Sequence, residues 1–349
     1  METNFISKKK PIFPVPSSLR KFLKHYGRGI KLPVHYSDLL RFNNAIPLLD
    51  RNGNDTLWES VLFAQSEMEH LNRALTEIYA LLKTAGDTHA TGHLYVDRID
   101  YCTFGNSKPF RIRIVNHYND NYDYFYVKLA DSSRIYGLEL EHILSPNRIS
   151  YFVDGETLIE EHIAGIPGDQ FIKSWLNDPQ LNTIRLAKEF VKFNERCFVR
   201  LLGDMRSYNY VIDITPDFED VHYRIRAIDF DQQSFEGRRT LYLPQYFKEN
   251  LPLVKLCMDH MTTETVAQYQ LEERVLMSKR IKAARYMVRD LIECMSDDII
   301  SVPEKVDQLK KELSLHYDHK SFLKCRNMGD IVKCSLKHMI RRSIAQFKF

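Results

Sequence analysis

The clearest periodic signal in the chain is a series of short apolar and aromatic runs between residues 92 and 163, each followed by a polar turn. Runs of this length that are rich in β-branched and aromatic residues are typical of strands, and the short loops predict an antiparallel meander. After the third run, residues 132–144 have helical spacing and end before Pro146, and two further strand-like runs flank the turn at 154–156. This segment therefore predicts the element order β-β-β-α-β-β.

A second pattern, of alternating three- and four-residue steps between apolar positions, predicts a long helix from Thr56 to about Thr84. Thr56 and Glu59 form a capping-box pair at its start, and Gly86 follows as a stop. The apolar positions form a narrow seam of Val61, Ala64, Met68, Leu71, Leu75, Ile78 and Leu82. A seam of only about three heptads favours packing on the helix's own domain. A partner helix or a homodimer through residues 56–84 is the alternative.

After Gly165 the pattern is mainly helical, except for a predicted strand pair between residues 199 and 231. Long helices are predicted beyond residue 240, and the last one, near 330–347, has an apolar face and a basic face. A helix of that kind can lie on an anionic membrane, but a docked terminal helix with a solvated face is the more frequent case. The chain is thus predicted to have an N-terminal extension with a long helix (1–88), a β-rich domain (89–163) and a helical domain (164–349).

The amino-acid composition disfavours several classes of function. Hydrophobic residues make up 44% and charged residues 27%, which is ordinary for a globular protein. The 49 Lys and Arg nearly balance the 46 Asp and Glu, so no strong net field favours a nucleic-acid partner. The six cysteines include no C-x-x-C pair, and no stretch of about 18 apolar residues indicates an integral membrane protein. Since the N-terminus also lacks a signal-peptide pattern, we expect a cytoplasmic protein.

Candidate chemistry is concentrated at four polar positions in or after predicted strands. Phosphoryl transfer from a nucleotide needs a cation on the donor phosphates, oxygen ligands for magnesium and a carboxylate near the accepting hydroxyl. The chain offers Lys128 in YVKLA, Asp204 and Asn209 in GDMRSYN, and Asp229 in AIDFD. Surface lysines and loop-forming Asp and Asn are the ordinary alternatives. Asp229 is hardest to explain in that way, because a carboxylate at the end of an apolar strand is costly without a partner, and a metal would compensate it.

The stretch GDMRSYNYVI resembles the catalytic loop of the aminoglycoside phosphotransferase and choline kinase branch of the protein-kinase-like fold, whose pattern is G-D-hydrophobic-H-x-x-N before an apolar strand. AIDFD resembles the metal-binding motif of that branch, and YVKLA resembles its third-strand lysine. The resemblance spans residues 90 to 300 approximately. It implies a two-lobed α+β fold with a small antiparallel β-rich N-lobe and a larger helical C-lobe, here preceded by an N-terminal helical extension.

The same resemblance implies an ATP- and magnesium-dependent transfer of the γ-phosphoryl group to a hydroxyl of a small molecule, such as a sugar, an amino alcohol or an aminoglycoside. Asp204 would orient the accepting hydroxyl, and Asn209 and Asp229 would hold magnesium. Lys128 would contact the α and β phosphates.

Three further nucleotide contacts are implied. Glu139 or Glu141 would pair with Lys128; they lie two residues apart on a helix, so only one can face the lysine, and Glu139 is preferred. Backbone groups of Glu161 and Ile163 would bond the adenine.

Several positions depart from the family pattern. Arg206 stands where the branch commonly has His, and Tyr208 where it commonly has Gly. Arg206 is a candidate catalytic residue that would stabilise the transferring phosphate or bind an anionic substrate, or else it forms a structural pair with a carboxylate. The first strand connection has only Gly105, and Asp231 replaces the last glycine of the protein-kinase D-F-G motif. No A-P-E motif follows, which favours a small-molecule acceptor.

The alternatives belong to other functional classes. One is a pseudokinase or nucleotide-binding scaffold that recruits a partner protein. Another is a kinase-like enzyme that modifies protein or transfers AMP in place of phosphate.

Overall fold

A computed structural model of the chain describes residues 10–50, 52–83, 91–216 and 221–345, with side chains to residue 341. The chain divides into two units. We call Pro14–Asp131 with Ile149–His162 the sheet unit, and Met1–Phe13, Ser132–Arg148 and Ile163–Phe349 the helical unit. Within the described ranges, no helix is long and apolar enough to cross a membrane.

The sheet unit is built on an antiparallel sheet of seven described strands. Its elements are α1 (Ser17–His25), α2 (Tyr36–Leu39), β1 (Asn44–Leu49), β2 (Asp55–Leu62), α3 (Gln65–Lys83), β3 (Leu94–Cys102), β4 (Phe110–Asn116), β5 (Tyr122–Leu129), β6 (Tyr151–Asp154) and β7 (Thr157–Glu161). The strands lie in the order β1-β2-β3-β4-β5-β7-β6. Side chains alternate between the two faces of a strand, so the apolar runs of β4 and β5 present every second residue to the core.

The apolar stripe of α3 packs against the core face of this sheet. Leu71, Leu75 and Ile78 are fully buried there, in one cluster with Ile112 of β4 and Phe125 of β5. The seam predicted within residues 56–84 therefore packs on its own unit, as its short length favours.

The predicted start of that helix is wrong. Residues Asp55–Leu62 form β2, which pairs with both β1 and β3, and α3 begins only at Gln65. The hydroxyl of Thr56 donates to the carbonyl of Leu48 at 2.6 Å and does not cap a helix. The main chain of residues 55–62 pairs with a strand on each side, and an aromatic residue such as Trp58 favours a strand. Together these outweigh the predicted helix start. The sheet therefore contains strands from the predicted N-terminal extension (1–88) as well as from the predicted β-rich domain (89–163).

The helical unit carries the remaining elements. They are α4 (Ser132–Leu144), β8 (Ile166–Pro167), α5 (Gly168–Ser174), α6 (Thr183–Arg200), β9 (Tyr210–Pro216), β10 (Val221–Ala227), α7 (Leu251–His260), α8 (Thr263–Ala283), α9 (Arg285–Asp297), α10 (Pro303–Tyr317) and α11 (Met328–Ala345). Strands β10, β9 and β8 form a small antiparallel sheet. The predicted β-β-β-α-β-β order, the later strand pair and the mixed α+β class are confirmed.

Buried polar side chains hold the loops after α6 and β10 in place. Gln233 Nε2 donates to the carbonyl of Arg200 at 2.6 Å. Asn250 Nδ2 donates to the carbonyl of Met205 at 2.9 Å, and Asn250 Oδ1 accepts from the Tyr210 hydroxyl at 2.8 Å. Hydrogen bonds of this kind are strengthened by the low dielectric of the interior and make the loops rigid.

Candidate active site

Asp204 lies in the loop directly after α6, in a backbone conformation that is unusual for a residue with a side chain. The helix ends at Arg200, its C-cap residue Leu201 has φ of 59°, and Asp204 has φ of 57°. The Asp204 amide donates to the carbonyl of Leu241 at 3.1 Å, and the Gly203 amide donates to that of Gln232 at 3.2 Å. Left-handed conformations of non-glycine residues persist only where the surroundings impose them, and they occur often at functional sites.

Two polar neighbours orient the Asp204 side chain. Arg206 Nε donates to Asp204 Oδ1 at 2.9 Å, while Arg206 Nη1 donates to Glu249 Oε1 at 2.8 Å. Asn209 Nδ2 donates to the Asp204 carbonyl at 2.7 Å and lies 3.5 Å from Asp204 Oδ2. Arg206 therefore bridges two carboxylates, and Asp204 Oδ2 keeps acceptor capacity for another group.

The Asp204 carboxyl has an altered acidity. Burial raises the pKa of Asp204 to about 7, and the charges of Asp229 and Glu249 act in the same direction, while the hydrogen bond from Arg206 opposes the rise. A carboxyl with a pKa near neutrality is suited to accept and return a proton.

We expect this carboxyl to make the unfolding free energy depend on pH. The folded protein keeps a proton that the unfolded chain releases between pH 3.8 and about 7. The stabilising contribution is therefore fully present below pH 3.8 and is lost as the pH rises through about 7. Its size is roughly 4 kcal/mol at most. Urea unfolding at pH 5 and pH 8 checks this: Asp204→Asn should flatten the difference, and an unchanged difference would contradict it.

Asp229 follows β10 by two residues, and its carboxylate is already compensated by a cation. Arg134 Nη1 donates to Asp229 Oδ1 at 2.9 Å and to Asp231 Oδ1 at 2.7 Å. The Asp231 amide donates to Asp229 Oδ1 at 3.0 Å. The Arg134 side chain is only 2% exposed. A metal is therefore not needed to explain this carboxylate at the end of an apolar strand.

Arg134 is a site residue that the sequence reasoning missed, although a signal was present. It lies in the first turn of α4, where the helix dipole disfavours a cation. A buried arginine at that position indicates an acidic partner elsewhere in the chain.

Lys128 lies in the sheet unit, on the face of the sheet that α3 does not cover. Lys128 Nζ donates to Glu160 Oε2 at 2.7 Å, and both side chains are nearly buried. Lys128 is paired with Leu158 in the ladder between β5 and β7, so Glu160 is a diagonal neighbour on the same face. The sequence reasoning did not identify Glu160 as a partner of Lys128. The signal was the two-residue alternation along β7, which puts Leu158 and Glu160 on the same face as Lys128.

The other residues predicted to contact the nucleotide are buried, ion-paired or hydrogen-bonded within their own units. Glu139 is fully buried on α4, and Glu141 forms a buried ion pair with Arg200 at the end of α6. The Glu161 amide donates to the carbonyl of Ser150 at 3.1 Å, so strand pairing already uses it. Ile163 is buried in the helical unit.

The helical unit thus brings Asp204, Arg206, Asn209 and Asp229 into one cluster, and the sheet unit holds Lys128 and Glu161. Among the described residues, no three His, Cys, Asp or Glu side chains are grouped as a metal site. Asn209 nevertheless offers a suitable ligand atom: its Nδ2 is used by the Asp204 carbonyl, which leaves Oδ1 for a cation. Amide and carboxylate oxygens are the donors that magnesium prefers.

Comparison with known proteins gives little further information. No protein-family model and no curated protein matches the chain. The solved structure "Titin kinase and its flanking domains" matches it weakly, with 13% identity and a TM-score of 0.24, over 65% of this chain and 52% of that one. This chain therefore spans about half the length of the matched structure. A TM-score of that size carries no argument about fold or function.

Proposed function

We propose that this protein is an ATP- and magnesium-dependent phosphotransferase that moves the γ-phosphoryl group to a hydroxyl of a small molecule. The observation that carries the proposal is the cluster of Asp204, Asn209 and Asp229, in which a carboxyl with a pKa of about 7 lies beside two oxygen ligands. We further propose that the sheet unit is the N-lobe and the helical unit the C-lobe of a kinase-like fold.

Each residue has a role that its contacts support. Asp204 Oδ2 would accept the hydrogen bond of the substrate hydroxyl, while Arg206 holds the other carboxylate oxygen. Asn209 Oδ1 and Asp229 would hold magnesium, which when bound neutralises charge on the phosphates. Arg206 is shared with Glu249, so it acts mainly as the group that positions Asp204.

The nucleotide would be bound through Lys128. Glu160 fixes the lysine from within the sheet, whereas Glu141 of α4 is bound to Arg200. A buried lysine held by a carboxylate keeps its direction, as a ligand of the α and β phosphates must. Glu161 and Ile163 remain the proposed backbone contacts to the adenine.

The proposed acceptor is a hydroxyl of a small molecule, such as a sugar, an amino alcohol or an aminoglycoside.

The second candidate is a nucleotide-binding scaffold without transfer activity, and Arg134 is the observation that favours it. An arginine on Asp229 and Asp231 already supplies the positive charge that magnesium would bring. If this ion pair is permanent, Asp229 is not available as a metal ligand.

Thermal unfolding with ATP, with and without magnesium, separates the two. A ligand at 100 times its dissociation constant adds about 2.7 kcal/mol, which raises the melting temperature by a few degrees for a chain of this size. We expect a magnesium-dependent rise that Asp229→Asn abolishes. The matched control is Asp213→Asn, a half-buried carboxylate on β9. A rise that needs no magnesium and survives in Asp229→Asn would favour the scaffold, and no rise with any nucleotide would contradict the phosphotransferase.

A further inference from the structure

Two cysteines meet in the helical unit, outside the cluster described above. Cys334 lies on α11, and Cys325 follows the short helical turn Lys320–Lys324. Both thiols line the same pocket. Ser321 contacts both: its Oγ lies 3.0 Å from Cys334 Sγ, and its carbonyl accepts from Cys325 Sγ at 3.8 Å. These contacts bring the thiols of two separate segments to the same residue, in the lining of one pocket.

The thiols open into a pocket of about 350 Å³ with a strongly positive lining. Its cationic side chains are Lys324, Lys333, Lys337 and Arg341. None of these four forms an ion pair with another described residue, and the acidic member of the lining, Asp330, is paired with Arg326 at 3.2 Å. The pocket therefore has an uncompensated positive charge that attracts small anions.

The two cysteines differ in acidity and exposure. The neighbouring Cys325 thiol lowers the pKa of the Cys334 thiol, and Ser321, His319 and Lys337 act in the same direction, while burial opposes them. The neighbouring Cys334 thiol, together with burial, raises the pKa of the Cys325 thiol. Cys334 is half-buried, whereas Cys325 is only 7% exposed. Cys334 is thus the accessible thiolate, and Cys325 is the shielded thiol beside it.

We propose that Cys334 and Cys325 form a thiol–disulfide exchange site whose substrate is a small anionic disulfide. The Cys334 thiolate attacks one sulfur of the substrate, the substrate S–S bond breaks, and a mixed disulfide on Cys334 forms as the first thiolate leaves. Cys325 then gives its proton to that thiolate and attacks Cys334 Sγ. The second thiolate leaves and takes a proton from water. The two protein thiols are oxidised to one disulfide, and the substrate disulfide is reduced to two thiols.

The positive lining determines which disulfides react fastest. An anionic substrate is concentrated at the pocket, and the same charges stabilise the thiolates that form during exchange. The other half-buried cysteines lack this setting: burial raises the pKa of Cys257, and burial with nearby carboxylates raises that of Cys294.

The test uses the reduced full-length protein with oxidised glutathione, which is anionic, and cystamine, which is cationic. After alkylation, peptide mass spectrometry locates the products. We expect the 325–334 disulfide in the native protein, a mixed disulfide on Cys334 in Cys325→Ser, and neither in Cys334→Ser. The control Cys257→Ser should behave as the native protein does.

The rates test the role of charge. Oxidised glutathione should react at least about tenfold faster than cystamine, and Lys333→Gln with Lys337→Gln should remove that preference. Modification of Cys257 or Cys294 before Cys334, or faster reaction with cystamine, would overturn the proposal. Because the readout is a covalent product at a named sulfur, it does not depend on the proposed phosphotransferase activity.

Discussion

Replacing Asp204 with asparagine is expected to reduce phosphoryl transfer by about 10²- to 10⁴-fold while leaving magnesium–ATP binding intact. The variant removes the carboxylate that accepts the hydrogen bond of the substrate hydroxyl. An amide oxygen can still accept from Arg206 Nε, so the loop keeps its main contact. Stability at pH 8 should not fall, because a buried carboxyl whose pKa is raised to about 7 is costly when it is charged.

The measurement is ADP formation from ATP with a panel of hydroxyl acceptors, both with and without an amine, beside thermal unfolding with magnesium–ATP. Asp213→Asn is the control for loss of a carboxylate from the same unit. Full turnover in Asp204→Asn would refute the catalytic role. Pyrophosphate in place of ADP would show that the group transferred is AMP.

Replacing Arg200 with methionine is expected to destabilise the protein by about 3–5 kcal/mol. Arg200 and Glu141 are 1% and 3% exposed and form an ion pair between α6 and α4. Removing the arginine leaves the glutamate buried and charged, without its partner. The Arg200 guanidinium also lies 5.9 Å from the Phe230 ring, so the segment that carries Asp229 loses support as well.

The double variant Glu141→Leu with Arg200→Met tests this explanation, because a well-packed apolar pair can replace a buried ion pair at little cost. We expect urea unfolding to show the double variant closer to the native protein than the single variant is. Lys188→Met is the matched control: its ion pair with Glu272 spans 3.5 Å, with side chains 39% and 36% exposed, and surface pairs of this kind contribute about 0–1 kcal/mol. An Arg200→Met variant as stable as Lys188→Met would contradict the assignment.

Local pattern predicted strands β3 to β7 of the sheet unit, but it missed β1 and assigned β2 to a helix. The alternation in β3, β4 and β5 and the helical spacing of α4 are properties of adjacent residues, so they are visible in the chain itself. Residues 56–62 contain the predicted capping pair Thr56 and Glu59 and the first seam position, Val61, yet they pair with β1 and β3. Strand pairing with residues far along the chain is not encoded in a local window.

In the candidate site, too, local pattern reveals some residues and long-range packing decides the others. Three polar residues stand out in the sequence because they interrupt or follow apolar runs: Asp204 and Asn209 in a loop, and Asp229 after a strand. Their partners do not: Arg134 is 95 residues from Asp229, and Arg200 is 59 residues from Glu141. Ion pairs across such separations form only when the fold brings the two segments together.

The sequence by itself determined the mixed α+β class, the strands β3 to β7, β9 and β10, the helix α4, and the residue types available for phosphoryl transfer, because these follow from neighbouring residues and local periodicity. Only the tertiary structure decided that residues 55–62 form a strand, that Arg134 compensates Asp229, that burial raises the pKa of Asp204, and that Cys325 and Cys334 line one pocket. The physical reason is that burial and charge partners depend on which distant segments pack together, and no local window of the chain contains that information.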